Sequence, residues 1–422
     1  MPARCVNLGT RKSRAKITHR LPNLKLGEHT LFVKLFIAGR TYPHAVHTSK
    51  LRVVKRMPKV FIDERRRLIV DGKPFFPLGL YLGPTGDEHL RRIADAGFNT
   101  ILCYGYGVGA DPEGFLNRAQ RYGLKVIYSI KDFYEGTRWF PKLGKSGLEL
   151  AREYVTKLRH HPALLGWYIN DELPPKWVPE LTKMYELVSS LDPDHPQFQV
   201  LYQVDELHLY YNCTDIMGVD PYPIPQHPIS IVADWTKKAV KAMHGVKPVW
   251  VVTQIFAKGN YTGDVRHREP TFAEKRCMFY LALIHGAQGL IAYSYFDLLR
   301  TIGGKPAPRD LFERRWREIR AIIHEVKQLI PVLLEGKDVS HIPRSVAKGK
   351  VHMRALTYND RLYLLFANVS DERIPISIKL PKRYKHLKRM DAPSAVTALL
   401  PQTHLRAQLE PLEAGTYIVW GD

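Results

Sequence analysis

Short apolar runs recur through the middle of the chain at intervals that suit alternating strands and helices. Eight read as strands: Phe75 to Leu82, Asn99 to Tyr104, Lys125 to Ile130, Leu164 to Ile169, Phe198 to Tyr202, Asp215 to Val219, Pro248 to Thr253 and Gly289 to Tyr295. Amphipathic stretches separate most of them. Asp87 to Ala96 places Leu90, Ile93 and Ala94 on one face, and Leu148 to Arg159 does so with Leu150, Tyr154, Val155 and Leu158. Ile231 to Met243 and Thr271 to His285 behave likewise. Helical periodicity between short apolar runs predicts βα units, and eight units over residues 58–335 predict an α/β fold of the (β/α)8 TIM-barrel type. The fifth unit is the weakest, because Asp205 to Thr214 leaves little room for a helix. Arg309 to Glu335 reads as a long closing helix carrying Trp316, Ile319, Ile322, Ile323, Val326 and Leu329.

Period-two alternation flanks this region on both sides. Val351 to Leu356, Leu362 to Ala367, Ile374 to Leu380 and Thr416 to Trp420 predict a C-terminal β-sandwich over 336–422. Residues 1–57 carry Ala15 to Thr18, His29 to Phe36 and Leu51 to Val54, with turn residues between Asn23 and Glu28. That stretch is too short for an immunoglobulin-like sandwich of about 100 residues. It reads as the last strands of a truncated module or as a small sheet.

Composition narrows the picture. A chain of 422 residues with 45% apolar residues is an ordinary globular protein with room for more than one domain. No run of about twenty apolar residues marks a membrane span, so no membrane partner is expected. The basic start lacks the apolar middle of a signal peptide, so the expectation is cytoplasmic as the chain stands, or secreted if a leader precedes it. Cys5, Cys103, Cys213 and Cys277 form no CxxC pair, so neither a zinc site nor a required disulfide is expected. Cys103 and Cys277 read as small buried hydrophobes. The net charge of +22 admits a polyanionic partner. Its spread over Arg11 to Arg20, Arg65 to Arg67, Lys237 to Lys241, Arg314 to Arg320 and Lys382 to Arg389 favours a solvated basic surface over a specific nucleic-acid site.

In a parallel barrel the chemistry gathers where the strands end. The eight ends hold Tyr81; Tyr104; Lys131, Asp132 and Phe133; Asn170, Asp171 and Glu172; Tyr202 and Gln203; Asp220 and Tyr222; Gln254; and Tyr293, Ser294, Tyr295 and Asp297. Aromatic faces stack on the C–H faces of sugar rings, and carboxylates and amides hydrogen-bond hydroxyls. Two carboxyls also supply the acid and the base or nucleophile of glycoside hydrolysis. A phosphate site is not indicated, because Gly105 to Gly109 has the wrong spacing for a dinucleotide fingerprint. No metal or cofactor is expected: His285 and the pair His160 and His161 fall in helical patterns and read as structural. No G-x-S-x-G nucleophile elbow occurs.

The segment Gly166-Trp167-Tyr168-Ile169-Asn170-Asp171-Glu172-Leu173-Pro174, with Tyr280 to Gly289 followed by Tyr293-Ser294-Tyr295, resembles the clan A glycoside hydrolases, TIM-barrel retaining enzymes that include cellulases, mannanases and β-galactosidases. The resemblance covers the barrel well and the flanks loosely. It implies Glu172 as acid/base, with Asp171 where the clan has Asn. It also implies a nucleophilic Glu at the seventh strand's end, where this chain has Gln254, and an amide does not attack an anomeric carbon. Asp220 is then the first choice for the second carboxylate, ahead of Asp132 and Asp297, as nucleophile or as the base of an inverting enzyme. Tyr81, Tyr104, Asp132, Asn170, Asp171, Tyr222, Gln254, Tyr295 and Asp297 are the expected carbohydrate contacts. Gln254 also raises a second reading, a protein that binds sugar without cleaving it.

Overall fold

The computed structural model describes residues 24–37, 41–83, 86–104, 111–340, 342, 344–391, 397–399 and 404–421. Two compact units divide the chain at Pro58. The first contains an antiparallel ribbon in which Gly27–Leu35 pairs with Ala45–Val53. Cys5, the Ala15 to Thr18 run, Arg11 to Arg20 and the Gly105 to Gly109 run lie outside the described residues.

The second unit is built on a closed barrel of eight parallel strands. They are β1 (Leu78–Leu82), β2 (Thr100–Cys103), β3 (Lys125–Ser129), β4 (Leu164–Asp171), β5 (Gln197–Leu201), β6 (Ile216–Val219), β7 (Val249–Gln254) and β8 (Leu290–Tyr293). All eight expected runs become strands in chain order. Strands buried on both faces read as continuous apolar segments, which is why the pattern was legible. Outward residues such as Leu80, Ile101, Val126 and Val251 meet the helices, whereas Tyr81, Tyr168, Phe198 and Trp250 fill the interior. Inside, Tyr168 stacks on Phe198 at 5.5 Å and Phe198 meets Trp250 at 4.9 Å. Gly289 is required beside this column, since a Cβ there would sit 2.7 Å from the Trp250 ring.

The helices Asp87–Asp95, Gly147–Leu158, Ile231–Ala242, Phe272–Ile284 and Arg309–Glu335 lie where the periodicity places them. Two more, Pro112–Arg121 and Val178–Leu191, follow β2 and β4. The fifth crossover holds a 3-10 helix, Leu207–Cys213, in the short segment that lacked helical length. One boundary needs correction. Phe75 is not part of β1: it ends a three-stranded sheet of Val60–Ile62, Leu68–Val70 and Lys73–Phe75. Val60, Leu68 and Val70 join the interior core beside Leu165 and Ile216, so this sheet plugs the end of the barrel where the strands begin. Among the described residues, the opposite mouth, where the strands end, is left without such a plug.

Beyond the long helix, a six-stranded and a three-stranded antiparallel sheet enclose Leu364, Phe366, Ile376, Ile378, Leu405 and Val419. Arg276 fastens the larger sheet to the barrel. Its guanidinium pairs with Glu325 at 2.7 Å and Asp391 at 2.8 Å, and donates to the Ala414 carbonyl. Cys103, Cys213 and Cys277 are free and buried. The thiols of Cys103 and Cys277 are each pushed up to about 12 by burial, as expected for inert apolar residues. His285 hydrogen-bonds His352 at 2.7 Å, and burial lowers it to about 4, in keeping with a structural role.

Removing one partner of a buried ion pair leaves the other charge uncompensated. Arg276→Met is therefore expected to lower unfolding stability by about 3 kcal/mol in denaturant titration. An unchanged midpoint would contradict the role given to this network.

Candidate active site

The site begins with an irregularity in β4. Its pairing with β5 runs Phe198 to Tyr168 and then Gln199 to Asn170, so Ile169 is an extra residue. Such a bulge re-aims the side chains that follow it. Simple alternation from Tyr168 would point Asn170 into the barrel and Asp171 out. Instead Asn170 pairs with Gln199 and Asp171 with Val200, an interior position.

Asp171 is held by two phenols and an ammonium. Tyr168 donates to it at 2.5 Å and Tyr104 at 2.7 Å, and Lys131 lies 3.4 Å away. Tyr81 donates to the Tyr168 hydroxyl at 3.2 Å. Lys131, only 8% exposed, also pairs with Asp132 at 2.8 Å and stands 4.4 Å over the Tyr104 ring. Burial raises the Asp132 carboxyl, with Lys131 opposing the rise.

Glu172 follows with φ of 61°, a left-handed backbone that few side chains adopt. Its amide bonds the Val200 carbonyl at 2.9 Å, and Gln203 donates to its carbonyl at 3.2 Å. The residue as a whole is open to solvent, while its carboxyl end is crowded by neighbours. Asp220, two strands away after β6, is 5% exposed and faces it. Burial raises the Glu172 carboxyl first and the charge of Asp171 adds to this, against a side-chain hydrogen bond with Asp220 and the charge of Lys131. Burial likewise holds Asp220 well above the usual carboxylate range, reinforced by the charge of Glu172, their hydrogen bond and the charge of Asp171.

Aromatic rings wall this pair. Tyr293 is the hub: it meets Tyr81 at 5.0 Å, Phe256 at 5.4 Å, Tyr222 at 5.8 Å and Tyr104 at 5.9 Å. Tyr261 donates to the Tyr293 hydroxyl at 3.1 Å. The structure thus brings Glu172, Asp220, Asp171, Asp132, Tyr81, Tyr104 and Tyr222 to one mouth.

Besides Tyr81, which is 1% exposed and bonded to Tyr168, and Asp171, held as above, four expected contacts are not free to meet a ligand. Asn170 is fully buried: it donates to Gln199 at 3.0 Å and accepts from the Leu173 amide at 3.0 Å. Gln254, also fully buried, clamps the loop that carries Asp220 and Tyr222. It accepts from the Ile224 amide at 2.9 Å and donates to the carbonyls of Ile224 at 2.8 Å and Phe256 at 3.2 Å. Asp297 is saturated by Arg300 at 2.6 Å, Tyr261 at 2.8 Å, Asn260 at 2.9 Å and Ser294. Tyr295 faces away, bonded to His89 at 2.7 Å and packed on Trp316 at 5.4 Å. The reason is local. β8 ends at Tyr293, and Ser294 caps a short helix, Tyr295–Leu298, that turns the next tyrosine outward. Tyr293, Lys131, Phe256 and Tyr261 were missing from the expected set. Alternation signals the first two, since Ile127, Ser129 and Lys131, like Ile291 and Tyr293, share a parity. No group of three His, Cys, Asp or Glu able to hold a metal occurs among the described residues.

No family model and no curated sequence matches the chain. Solved structures match it in shape. A glycoside hydrolase superposes with a TM-score of 0.61 at 13% identity, over 87% of this chain and 98% of its own. A family 5 glycoside hydrolase from Bacteroides vulgatus gives 0.60 at 14%, over 87% and 94%. A family 27 β-L-arabinopyranosidase from Geobacillus stearothermophilus, holding arabinose, gives 0.56 at 10%, over 82% and 97%. At these identities the likeness is one of fold: a TIM barrel with added β segments.

Gln254→Glu would supply the carboxylate expected at the seventh strand from the clan A resemblance, yet here it would face two carbonyl oxygens. Stability is expected to fall by about 1–3 kcal/mol with no gain in activity. An active, equally stable variant would overturn the clamp.

Proposed function

We propose that this protein is a glycoside hydrolase acting on a poly- or oligosaccharide, with Glu172 and Asp220 as its catalytic carboxyl pair. The observation that carries the reading is the meeting of these two groups at the open end of the barrel, beneath an aromatic wall. Glycosidic cleavage needs one carboxyl to protonate the leaving oxygen and another to attack the anomeric carbon or to activate water. Two facing carboxyls share one proton at neutral pH, because like charges so close do not both ionise. That is the protonation state the reaction starts from.

The surroundings fit a carbohydrate. Tyr104, Tyr222 and Tyr293 offer apolar faces for sugar rings, with Phe256 packed behind them, and Asp132 offers a hydroxyl acceptor. Asp171, its oxygens taken by phenols and Lys131, acts on Glu172 through its charge rather than on substrate. Gln254 supports the site from below, so its presence no longer argues for a protein that binds without cleaving. In this reading the barrel, residues 58–335, does the chemistry, and 1–57 and 336–422 are flanking β modules. The arabinose held by one structural neighbour is consistent with a sugar ligand for this fold.

Glu172→Gln and Asp220→Asn are each expected to lower kcat/KM on a glycoside with an unactivated alcohol leaving group by at least about 10²-fold. The wild-type profile should be bell-shaped. Activity falls with rising pH when the shared proton leaves, and with falling pH when a second proton binds. A panel of glycosides assayed with wild type and both variants checks this. Sugar binding without any turnover by the wild type would refute the hydrolase reading.

A further inference from the structure

A shared proton leaves open which carboxyl starts with it. Asp220 is 5% exposed, and its Oδ1 is buried with no hydrogen-bond partner among the described residues. The groups whose charges act on it are Glu172 and Asp171, both acidic, and it neighbours the phenols of Tyr81 and Tyr222. No Lys or Arg among the described residues forms an ion pair with it. An ionised carboxylate so placed would bury an uncompensated charge, which costs several kcal/mol per ion. Glu172 differs in exposure: the residue opens to solvent, and although burial of its carboxyl and the charge of Asp171 raise it too, the ammonium of Lys131 opposes that rise.

We infer, building on the glycosidase reading, that Asp220 is the acid/base and Glu172 the nucleophile, the reverse of the assignment that the clan resemblance implies. In the first step the Asp220 proton passes to the glycosidic oxygen as its bond to the anomeric carbon breaks. The Glu172 carboxylate bonds that carbon, and the alcohol departs. In the second step the Asp220 carboxylate takes a proton from water. The hydroxide oxygen bonds the anomeric carbon and the Glu172 ester bond breaks, restoring both groups and retaining the configuration. Lys131, 3.4 Å from Asp171, helps to hold that carboxylate beside the pair.

Leaving-group dependence separates the roles. A dinitrophenyl glycoside needs little acid assistance, whereas an alkyl glycoside needs it fully. With Asp220→Asn, kcat/KM on the activated substrate should stay within about tenfold of wild type while that on the alkyl glycoside falls about 10²–10⁴-fold. Glu172→Gln should lose both. The opposite pattern, or equal losses for both variants, overturns the assignment. A wild type inactive on both substrates removes the glycosidase reading itself. Should either variant misfold, wild-type enzyme trapped with 2-deoxy-2-fluoroglycosyl fluorides and mapped by peptide mass decides the matter. A label on Glu172 supports the inference and a label on Asp220 overturns it.

Discussion

Two carboxyl groups facing each other in a partly dry barrel mouth compete for one proton, and the organisation of this site follows from that competition. Neither Glu172 nor Asp220 is unusual alone. Closing eight strands into a barrel brings the ends of β4 and β6 across one opening, so residues 48 positions apart in sequence interact directly. Burial raises both groups, and the charge of Asp171 raises both further. In the proposed reading these two ordinary side chains become an acid and a base.

Much of the surrounding structure serves to hold that arrangement. A bulge in β4 turns Asp171 inward, where Tyr104, Tyr168 and Lys131 fix it. Gln254 ties β7 to the loop after β6 and so sets the position of Asp220. Asp297 gathers Tyr261, Asn260 and Arg300, and through Tyr261 it reaches Tyr293. At the far end a three-stranded sheet plugs the barrel. Buried polar groups of this kind are structural supports: their hydrogen bonds are satisfied within the protein, which leaves few groups free at the mouth.

The barrel was legible because its strands are buried on both faces and its helices carry long apolar stripes. The plug sheet was not, since strands of three residues carry too little periodic signal. Within the site, strand ends were legible as places and less so as directions. Asn170 and Asp171 exchanged faces because one inserted residue shifts the parity of β4, and no local pattern announces the insertion. Tyr295 was preferred to Tyr293 because both end an apolar run, and only the turn at Ser294 distinguishes them. Gln254 read as a missing nucleophile because its partners, the backbone of Ile224 and Phe256, are met only once the chain folds. The glycosidase reading survives these revisions because it rests on Glu172 and Asp220, which the sequence already singled out.

The central claim, one proton shared by two facing carboxyls at neutral pH, is open to direct observation without knowledge of the sugar. Infrared difference spectroscopy of the folded protein, wild type against Asp220→Asn, reads protonated carboxyl groups at pH 7. The account predicts a protonated-carboxyl band in the wild type that vanishes in the variant. Identical spectra, with no protonated carboxyl in either protein, would show that both groups ionise freely and would contradict it.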